Sequence, residues 1–139
     1  NGYEYHSDPA LAHDSRNLHR TPFNWANAAR RTQLGTVQQR IWDGLRRLET
    51  LRAKEPCFGA GSTVSTWDTH NNAVLSLVRR AAEGQMVCLF NFSGQPQTAR
   101  LEQLGGRYQD KLTGQSADLP GCAEYPLAPY QYALLARLG

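Results

Sequence analysis

Residues 73–93 read AVLSLVRRAAEGQMVCLFNFS, and this stretch decides the fold. Apolar residues recur with a period of two in residues 73–80 and again in residues 86–93, which indicates β-strands rather than a helix. The short connection AAEG separates the two runs. We therefore expect two neighbouring antiparallel strands here.

Similar runs surround this pair on both sides. They are STVSTWD at 62–68, TARLEQL at 98–104, RYQDKL at 107–112 and YQYALLARL at 130–138. Turn-forming segments such as THNN, SGQP and LTGQ separate them. Six or seven short strands at this spacing predict an antiparallel β-sandwich or barrel, and we assign residues 59–139 to a β-sandwich domain. The arginine pair Arg79 and Arg80 is interpreted as a solvated strand end.

A helix is predicted upstream, from Val37 to Lys54. Thr36 is placed as its N-cap with Gln39 three residues later, the pattern of a capping box. Pro56 and Gly59 close the helix. One apolar stripe runs along it, formed by Val37, Ile41, Leu45, Leu48 and Leu51. Gly44 beside that stripe costs about 1 kcal/mol relative to alanine, so we expect a neighbouring backbone to approach it closely.

The first third of the chain has the composition of a loop. Asn-Gly, Asp-Pro and Pro22 lie within it, and loops longer than about 12 to 15 residues are usually functional. We therefore divide the chain into residues 1–58 and 59–139. The first piece cannot bury its own helix stripe, which must be covered by the β domain, by another chain or by a preceding part of the polypeptide. We expect the chain to be the end of something longer.

Composition restricts the class of protein. The chain has 139 residues, 40% of them hydrophobic, and a net charge of +3. No run approaches the roughly 18 apolar residues of a membrane span, and basic residues are interleaved with acidic ones without a stacking ladder. We therefore expect no membrane and no nucleic-acid partner. Cys57, Cys88 and Cys122 lack a C-x-x-C pair, so we expect buried free thiols rather than a zinc site or a disulfide framework. We also expect no other metal and no cofactor.

Three motifs carry a family resemblance. DSRNLHRTPFNW at 14–25 precedes the capped helix, LFNFS at 89–93 lies in one strand, and PYQYALLARL at 129–138 ends the chain. Together they resemble the C-terminal end of the α-amylase superfamily, specifically the amylosucrase and sucrose hydrolase group. The resemblance implies that residues 1–58 are the loop after strand eight and helix eight of a (β/α)8 barrel. Residues 59–139 are then the C-terminal domain.

The resemblance also implies roles for the arginines of the first motif. Arg16 is expected to pair with an Asp outside this chain and to close the floor of a glucosyl pocket, since a guanidinium can clamp a carboxylate through two hydrogen bonds. Arg20 is expected mainly to hold the loop, although it remains a candidate sugar contact. His19 is a further candidate for a sugar hydroxyl.

No pair of acidic residues in this chain is placed for retaining glycoside chemistry, which needs two carboxylates about 5 to 5.5 Å apart. We therefore expect the catalytic carboxylates to precede Asn1 and the chain alone to be inactive. Its partners would be the N-terminal (β/α)8 portion and a sucrose or glucan substrate. Two other functions stay open, a basic adaptor docked through its helix and a free-standing carbohydrate-binding β module. The second would use some of the aromatic residues Trp67, Tyr108, Tyr125, Tyr130 and Tyr132, which are otherwise expected to fill the core.

Overall fold

The computed structural model describes residues 24–139. Contacts divide the chain into two compact units, one that ends at Arg47 and one that covers Leu48–Gly139. The described part of the first unit contains helix α1 (Trp25–Ala29), a 3-10 turn (Arg30–Thr32) and the first part of helix α2 (Val37–Lys54).

Helix α2 has the bounds that the sequence predicts. The Thr36 hydroxyl accepts a hydrogen bond from the Gln39 backbone N–H at 3.1 Å, as an N-cap should. The Gln39 side chain accepts from the N–H of Gly35 at 3.3 Å, one residue earlier than in a standard capping box. Gly35 supports this turn with a φ of 81°, in the region that favours glycine.

The second unit contains eight strands in two antiparallel sheets. The larger sheet has the order β1-β2-β3-β8-β5-β6, and β4 pairs with β7 in the smaller one. Their bounds are β1 Thr63–Ser65, β2 Val74–Ala81, β3 Gly84–Asn91, β4 Gln97–Leu101, β5 Gly106–Asp110, β6 Ser116–Leu119, β7 Ala123–Leu127 and β8 Tyr132–Arg137.

The mainly β, antiparallel sandwich is confirmed, with more strands than the sequence predicts. Each of the six predicted runs contains or overlaps a strand, whereas β6 and β7 fall outside all of them. Pro120 and Gly121 lie between these two strands, and Pro126 lies inside β7 opposite Thr98. Proline is tolerated there because β7 pairs only with β4 and has no second partner strand among the described residues.

The inner face of the larger sheet packs on the smaller sheet to form the main core. Side chains that alternate along the strands supply it, because successive residues of a strand point to opposite faces. The fully buried members include Val78, Val87, Leu89, Leu101, Leu104 and Leu135.

The outer face of the larger sheet is also apolar. Its middle part is buried under Leu48 and Leu51 of helix α2 and under Cys57 and Phe58 of the 3-10 turn Pro56–Phe58. Beneath them lie Met86, Cys88, Leu134 and Ala136, each at most 7% exposed. These contacts explain why the second unit begins at Leu48 rather than at residue 59, and they show that part of the helix stripe is covered by the β domain.

Arg79 anchors the 3-10 turn, so its interpretation as a solvated strand end is wrong. Its guanidinium donates to the carbonyl of Cys57 at 2.6 Å and to the Ser62 hydroxyl at 2.5 Å, and it lies 5.7 Å from the ring centre of Phe58. Arg80 is exposed, bonds the side chains of Ser65 and Gln85, and lies 5.7 Å from the ring centre of Trp67. Of the pair, Arg79 is therefore the arginine that bonds the partly buried backbone of the 3-10 turn.

Arg79→Met should lower the free energy of unfolding by about 2 kcal/mol, because charge-assisted hydrogen bonds to half-buried acceptors are lost. Arg80→Met is the matched control and should cost less than about 1 kcal/mol, since the hydrogen bonds that it loses are exposed. Urea unfolding of the two variants measures the difference. Equal losses would contradict the anchoring role of Arg79.

Candidate functional site

The predicted sugar-pocket residues Arg16, His19 and Arg20 lie outside the described residues. Their roles therefore remain predictions. Three features of residues 24–139 bear on function: the ion pairs and hydrogen bonds of the carboxylates, the meeting of two sequence motifs, and two exposed apolar faces.

Several carboxylates serve local structure. Glu55 pairs with Lys111 at 2.9 Å, and both side chains are largely buried. Asp110 accepts from the Leu112 N–H at 2.9 Å and from the Thr113 hydroxyl at 3.1 Å, which fixes the turn after β5. Glu102 lies 3.6 Å from the Arg100 guanidinium. Glu55 and Asp110 therefore serve local structure, whereas the ion pair of Glu102 is exposed.

No metal site is found in residues 24–139, where no three side chains of His, Cys, Asp or Glu lie together as ligands would. Within the same residues no helix is long and apolar enough to cross a membrane.

The five aromatic residues considered for a sugar platform do not share one surface. Tyr108 is 2% exposed, and Trp67 and Tyr125 pack against the same core. Burial raises the pKa of Tyr108, while a hydrogen bond from Gln85 opposes that shift. Only Tyr130 and Tyr132 are exposed, so the core interpretation is confirmed for the other three residues.

The motifs LFNFS and PYQY meet at Asn91, a polar residue only 4% exposed. Its side-chain amide donates to the carbonyls of Gln95 at 2.8 Å and Ala128 at 2.9 Å. Its side-chain oxygen accepts from the backbone N–H and the hydroxyl of Ser93 at 2.9 and 2.8 Å. Asn91 thus joins the turn after β3 to the turn before β8, which explains both motifs by structure rather than by sugar contact.

Tyr130 completes this junction with an unusual backbone. Its φ is 55°, a left-handed conformation that non-glycine residues seldom adopt. Its N–H donates to the carbonyl of Ser93 at 3.0 Å. A Cβ built on Gly94 would lie 3.1 Å from the Tyr130 hydroxyl, so the ring lies against that turn. The exposed ring therefore supports the junction of the two motifs.

The first exposed apolar face, which we call the helix face, consists of Val37, Ile41 and Leu45 on α2. They are 56%, 58% and 55% exposed, whereas Leu48 and Leu51 farther along the stripe are half-buried. Gly44 lies beside this face, and a Cβ built on it meets no described atom within 4 Å. The backbone neighbour expected at Gly44 is therefore not found among residues 24–139.

The second exposed apolar face, which we call the aromatic row, consists of Leu75, Phe90 and Tyr132 together with Phe92. Leu75 pairs with Phe90 and Phe90 with Tyr132, so the three lie side by side on the outer face of the sheet. The ring centres of Phe90 and Tyr132 are 6.4 Å apart, and those of Phe90 and Phe92 are 6.2 Å apart. This row was not predicted, although the sequence contains a signal for it: the outward positions of both central strands are apolar as well as the inward ones.

The cysteines fall into two groups. Cys57 and Cys88 are buried free thiols, as expected, whereas Cys122 is exposed, so the prediction is wrong for that residue. Burial raises the pKa of Cys88 to about 11. Only the exposed thiol is therefore accessible to reagents in the folded chain.

Comparison with known proteins shows the fold. No family model matches the chain. AmyP E221Q in complex with maltotriose has a TM-score of 0.66, with 22% identity over 76% of this chain. The MutB E254Q mutant in complex with the substrate sucrose has a TM-score of 0.57, with 19% identity over 69%. Isomaltulose synthase PalI from Klebsiella sp. LX3 has a TM-score of 0.56, with 18% identity over 69%.

The matched region is a small part of each of these proteins. This chain covers 22% of the AmyP chain and 17% of the MutB and PalI chains. At these identities the comparison establishes a shared fold for most of the chain.

Proposed function

We propose that this chain is the C-terminal part of a retaining α-glucosyl enzyme of the α-amylase superfamily, in the amylosucrase and sucrose hydrolase group. The observation that carries the proposal is the shared fold with MutB, which was solved with the substrate sucrose and of which this chain covers 17%. The motif DSRNLHRTPFNW supports the same group from the sequence, because it lies in residues 14–25, outside the residues 59–139 that we assign to the sandwich.

The proposed reaction proceeds in two steps. A carboxylate attacks the anomeric carbon of the glucosyl unit while a carboxylic acid gives its proton to the departing fructose oxygen. Water, or a hydroxyl of a glucan, then attacks the same carbon, gives its proton to the second carboxylate and releases the first. Both carboxylates are assigned to the preceding part of the polypeptide, which leaves this chain with a supporting role.

Arg16 supplies the one direct contribution that we assign to this chain. A guanidinium offers a planar, permanently charged group that holds a carboxylate in a fixed orientation. Paired with an Asp outside this chain, Arg16 closes the pocket beyond one terminal glucosyl unit. We assign His19 to a sugar hydroxyl and Arg20 mainly to the support of the loop.

The helix face is the proposed contact of helix eight with the rest of the (β/α)8 barrel. Three apolar side chains in one stripe, all more than half exposed, are typical of a helix face that another element covers. Gly44 beside them would let a barrel backbone approach closely, which explains a glycine where helix propensity disfavours it.

Gly44→Ala should raise the free energy of unfolding of the 139-residue chain by about 0.5 to 1 kcal/mol, because alanine is the better helix former. Nothing described opposes the added methyl group. In the complete polypeptide the same change should destabilise, because the barrel backbone would be displaced. Thermal unfolding of both proteins measures the sign of the stability change in each.

Gly35→Ala is the control for that prediction. Its φ of 81° makes alanine unfavourable without any steric neighbour, so this change should destabilise both proteins by about 1 kcal/mol. If Gly44→Ala stabilises the complete polypeptide as much as the isolated chain, no backbone packs at Gly44.

Determining the coding sequence upstream of Asn1 tests the proposal directly. It should encode alternating strand and helix patterns of a (β/α)8 barrel, with acidic residues at the ends of strands. An upstream region without that pattern would end the proposal.

A free-standing carbohydrate-binding module, the alternative function, would bind glucan as the 139-residue chain alone. Titration of the 139-residue chain with maltooligosaccharides should show no saturable binding under the proposed function. Saturable binding in the micromolar to millimolar range would favour the module, because small soluble glucans would then have a site on residues that this chain contains.

A further inference from the structure

Helix α1 is held in place by side chains at its two ends rather than by a buried face. It has five residues, Trp25–Ala29, and none of them is buried. A helix of this length is unstable on its own, because its few hydrogen bonds do not offset the cost of nucleation. Its position therefore depends on the contacts that its ends make.

The first end is capped within the motif at 14–25. The side-chain oxygen of Asn24 accepts a hydrogen bond from the Asn27 N–H at 2.9 Å, as an N-cap does. Trp25, the last residue of the motif, is the first residue of α1. The motif that contains Arg16 therefore ends inside this helix, so a contact that fixes α1 also fixes the end of the motif.

Arg31 bridges the other end of α1 to helix α2. Its guanidinium donates to the carbonyl of Ala28, in the last turn of α1, at 2.9 Å. The same group lies 5.4 Å from the ring centre of Trp42 on α2, within the range of a cation–π contact. One side chain thus contacts both helices, and we call this pair of contacts the arginine bridge.

Thr36 closes the turn between the two helices. Its hydroxyl lies 2.8 Å from the carbonyl oxygens of both Arg30 and Gln33, and it also accepts from the Gln39 N–H at the start of α2. These contacts limit how far the turn can open. Thr36 thus holds the turn, while the arginine bridge holds α1 itself.

We propose that Arg31 and Trp42 are positioning residues for sucrose turnover, because the arginine bridge holds α1 against α2 and so keeps the motif of Arg16 in place. This inference rests on the proposed function, in which that motif contributes to the glucosyl pocket. An exposed cation–π contact is too weak to decide the stability of a whole polypeptide. It is strong enough to influence the placement of a five-residue helix that has no buried residue.

Steady-state kinetics of the complete polypeptide with sucrose tests this inference. Arg31→Ala and Trp42→Leu each remove the bridge, and each should lower kcat about two- to fivefold, the factor by which an exposed cation–π contact shifts an equilibrium. Trp42→Phe keeps an aromatic face and should restore most of the loss. Arg30→Ala is the matched control and should keep the wild-type kcat. This neighbouring arginine is exposed, and its link to Thr36 uses the backbone carbonyl, which alanine retains.

The double variant, Arg31→Ala with Trp42→Leu, separates positioning from stability. Because both single changes break the same contact, the double variant should lose no more kcat than either single variant, whereas independent effects would multiply. Rates are taken per folded molecule, with the folded fraction measured by thermal unfolding, so a purely structural role would leave kcat unchanged. A kcat within about 1.5-fold of the wild type in both single variants, or losses that multiply in the double variant, would overturn the inference.

The wild-type polypeptide separates this inference from the proposed function. If it releases fructose from sucrose and the bridge variants keep its kcat, the arginine bridge has no positioning role and the proposed function stands. If the wild type releases no fructose, the proposed function is rejected, and this inference is rejected with it.

Discussion

Replacing Arg16 by alanine in the complete polypeptide is expected to lower kcat/KM for sucrose by at least about a hundredfold, because a misplaced glucosyl unit loses that much reactivity. The guanidinium would no longer hold its carboxylate partner, and that carboxylate would remain unpaired in a pocket closed to water. The variant should keep its fold and still unfold in one cooperative transition, since Arg16 is assigned to the loop of residues 1–58 rather than to the sandwich domain. Steady-state kinetics with sucrose, combined with a thermal scan of each variant, measures both quantities.

Two further substitutions make the Arg16 prediction specific. Arg16→Lys keeps the charge but cannot form two parallel hydrogen bonds, so its rate should lie between those of the wild type and Arg16→Ala. Arg20→Ala should have the smaller effect on kcat and the larger effect on unfolding, because Arg20 is assigned to loop support. Wild-type turnover by Arg16→Ala would remove Arg16 from the pocket.

Asn91→Ala is expected to lower the free energy of unfolding of the 139-residue chain by about 3 kcal/mol, because a network of partly buried hydrogen bonds is lost together with the buried side chain at its centre. The backbone carbonyls of Gln95 and Ala128 lose their donor, and the N–H of Ser93 loses its acceptor. Asn91 also faces the core side of β3, where it is 4% exposed, so the vacated space adds a cavity. Urea unfolding should show a lower midpoint with an unchanged dependence on urea concentration.

The control for Asn91 is Asn72→Ala, which changes the same residue type at an exposed position. It should alter stability by less than about 0.5 kcal/mol. Asn91→Asp should also destabilise strongly, since a carboxylate cannot donate to the two carbonyls and would be buried as a charge. A loss below about 1 kcal/mol for Asn91→Ala would mean that the junction of the two motifs does not depend on this amide.

Local signals explain the parts of the fold that the sequence predicts. Helix α2 begins at Val37 because Thr36 satisfies an N–H that the helix leaves unpaired, and such a cap is visible in the sequence. Strands β2 and β3 were predictable because a short connection joins two runs of the same period. Strands β6 and β7 escaped prediction because Pro120, Gly121 and Pro126 are ordinarily turn residues, and only the pairing of β7 with a single partner makes Pro126 acceptable.

Long-range contacts account for what the sequence does not reveal. Arg79 looks solvated in sequence, and its acceptors on Cys57 and Ser62 lie about twenty residues away along the chain. The role of Asn91 likewise depends on Ala128, which only the pairing of β3 with β8 brings near. The same distinction applies to the candidate site. The exposed apolar faces are identified from the structure, whereas the role of Arg16 is predicted from its motif alone.

The most direct test of the account is to incubate the complete polypeptide with sucrose and to follow the products by proton NMR. A retaining α-glucosyl enzyme should release fructose. The glucosyl unit should appear as α-linked glucan, as glucose that is released first as the α-anomer, or as both. The 139-residue chain should release no fructose under the same conditions. Failure of the complete polypeptide to release fructose, or initial release of β-glucose, would contradict the assignment to a retaining α-glucosyl enzyme that acts on sucrose.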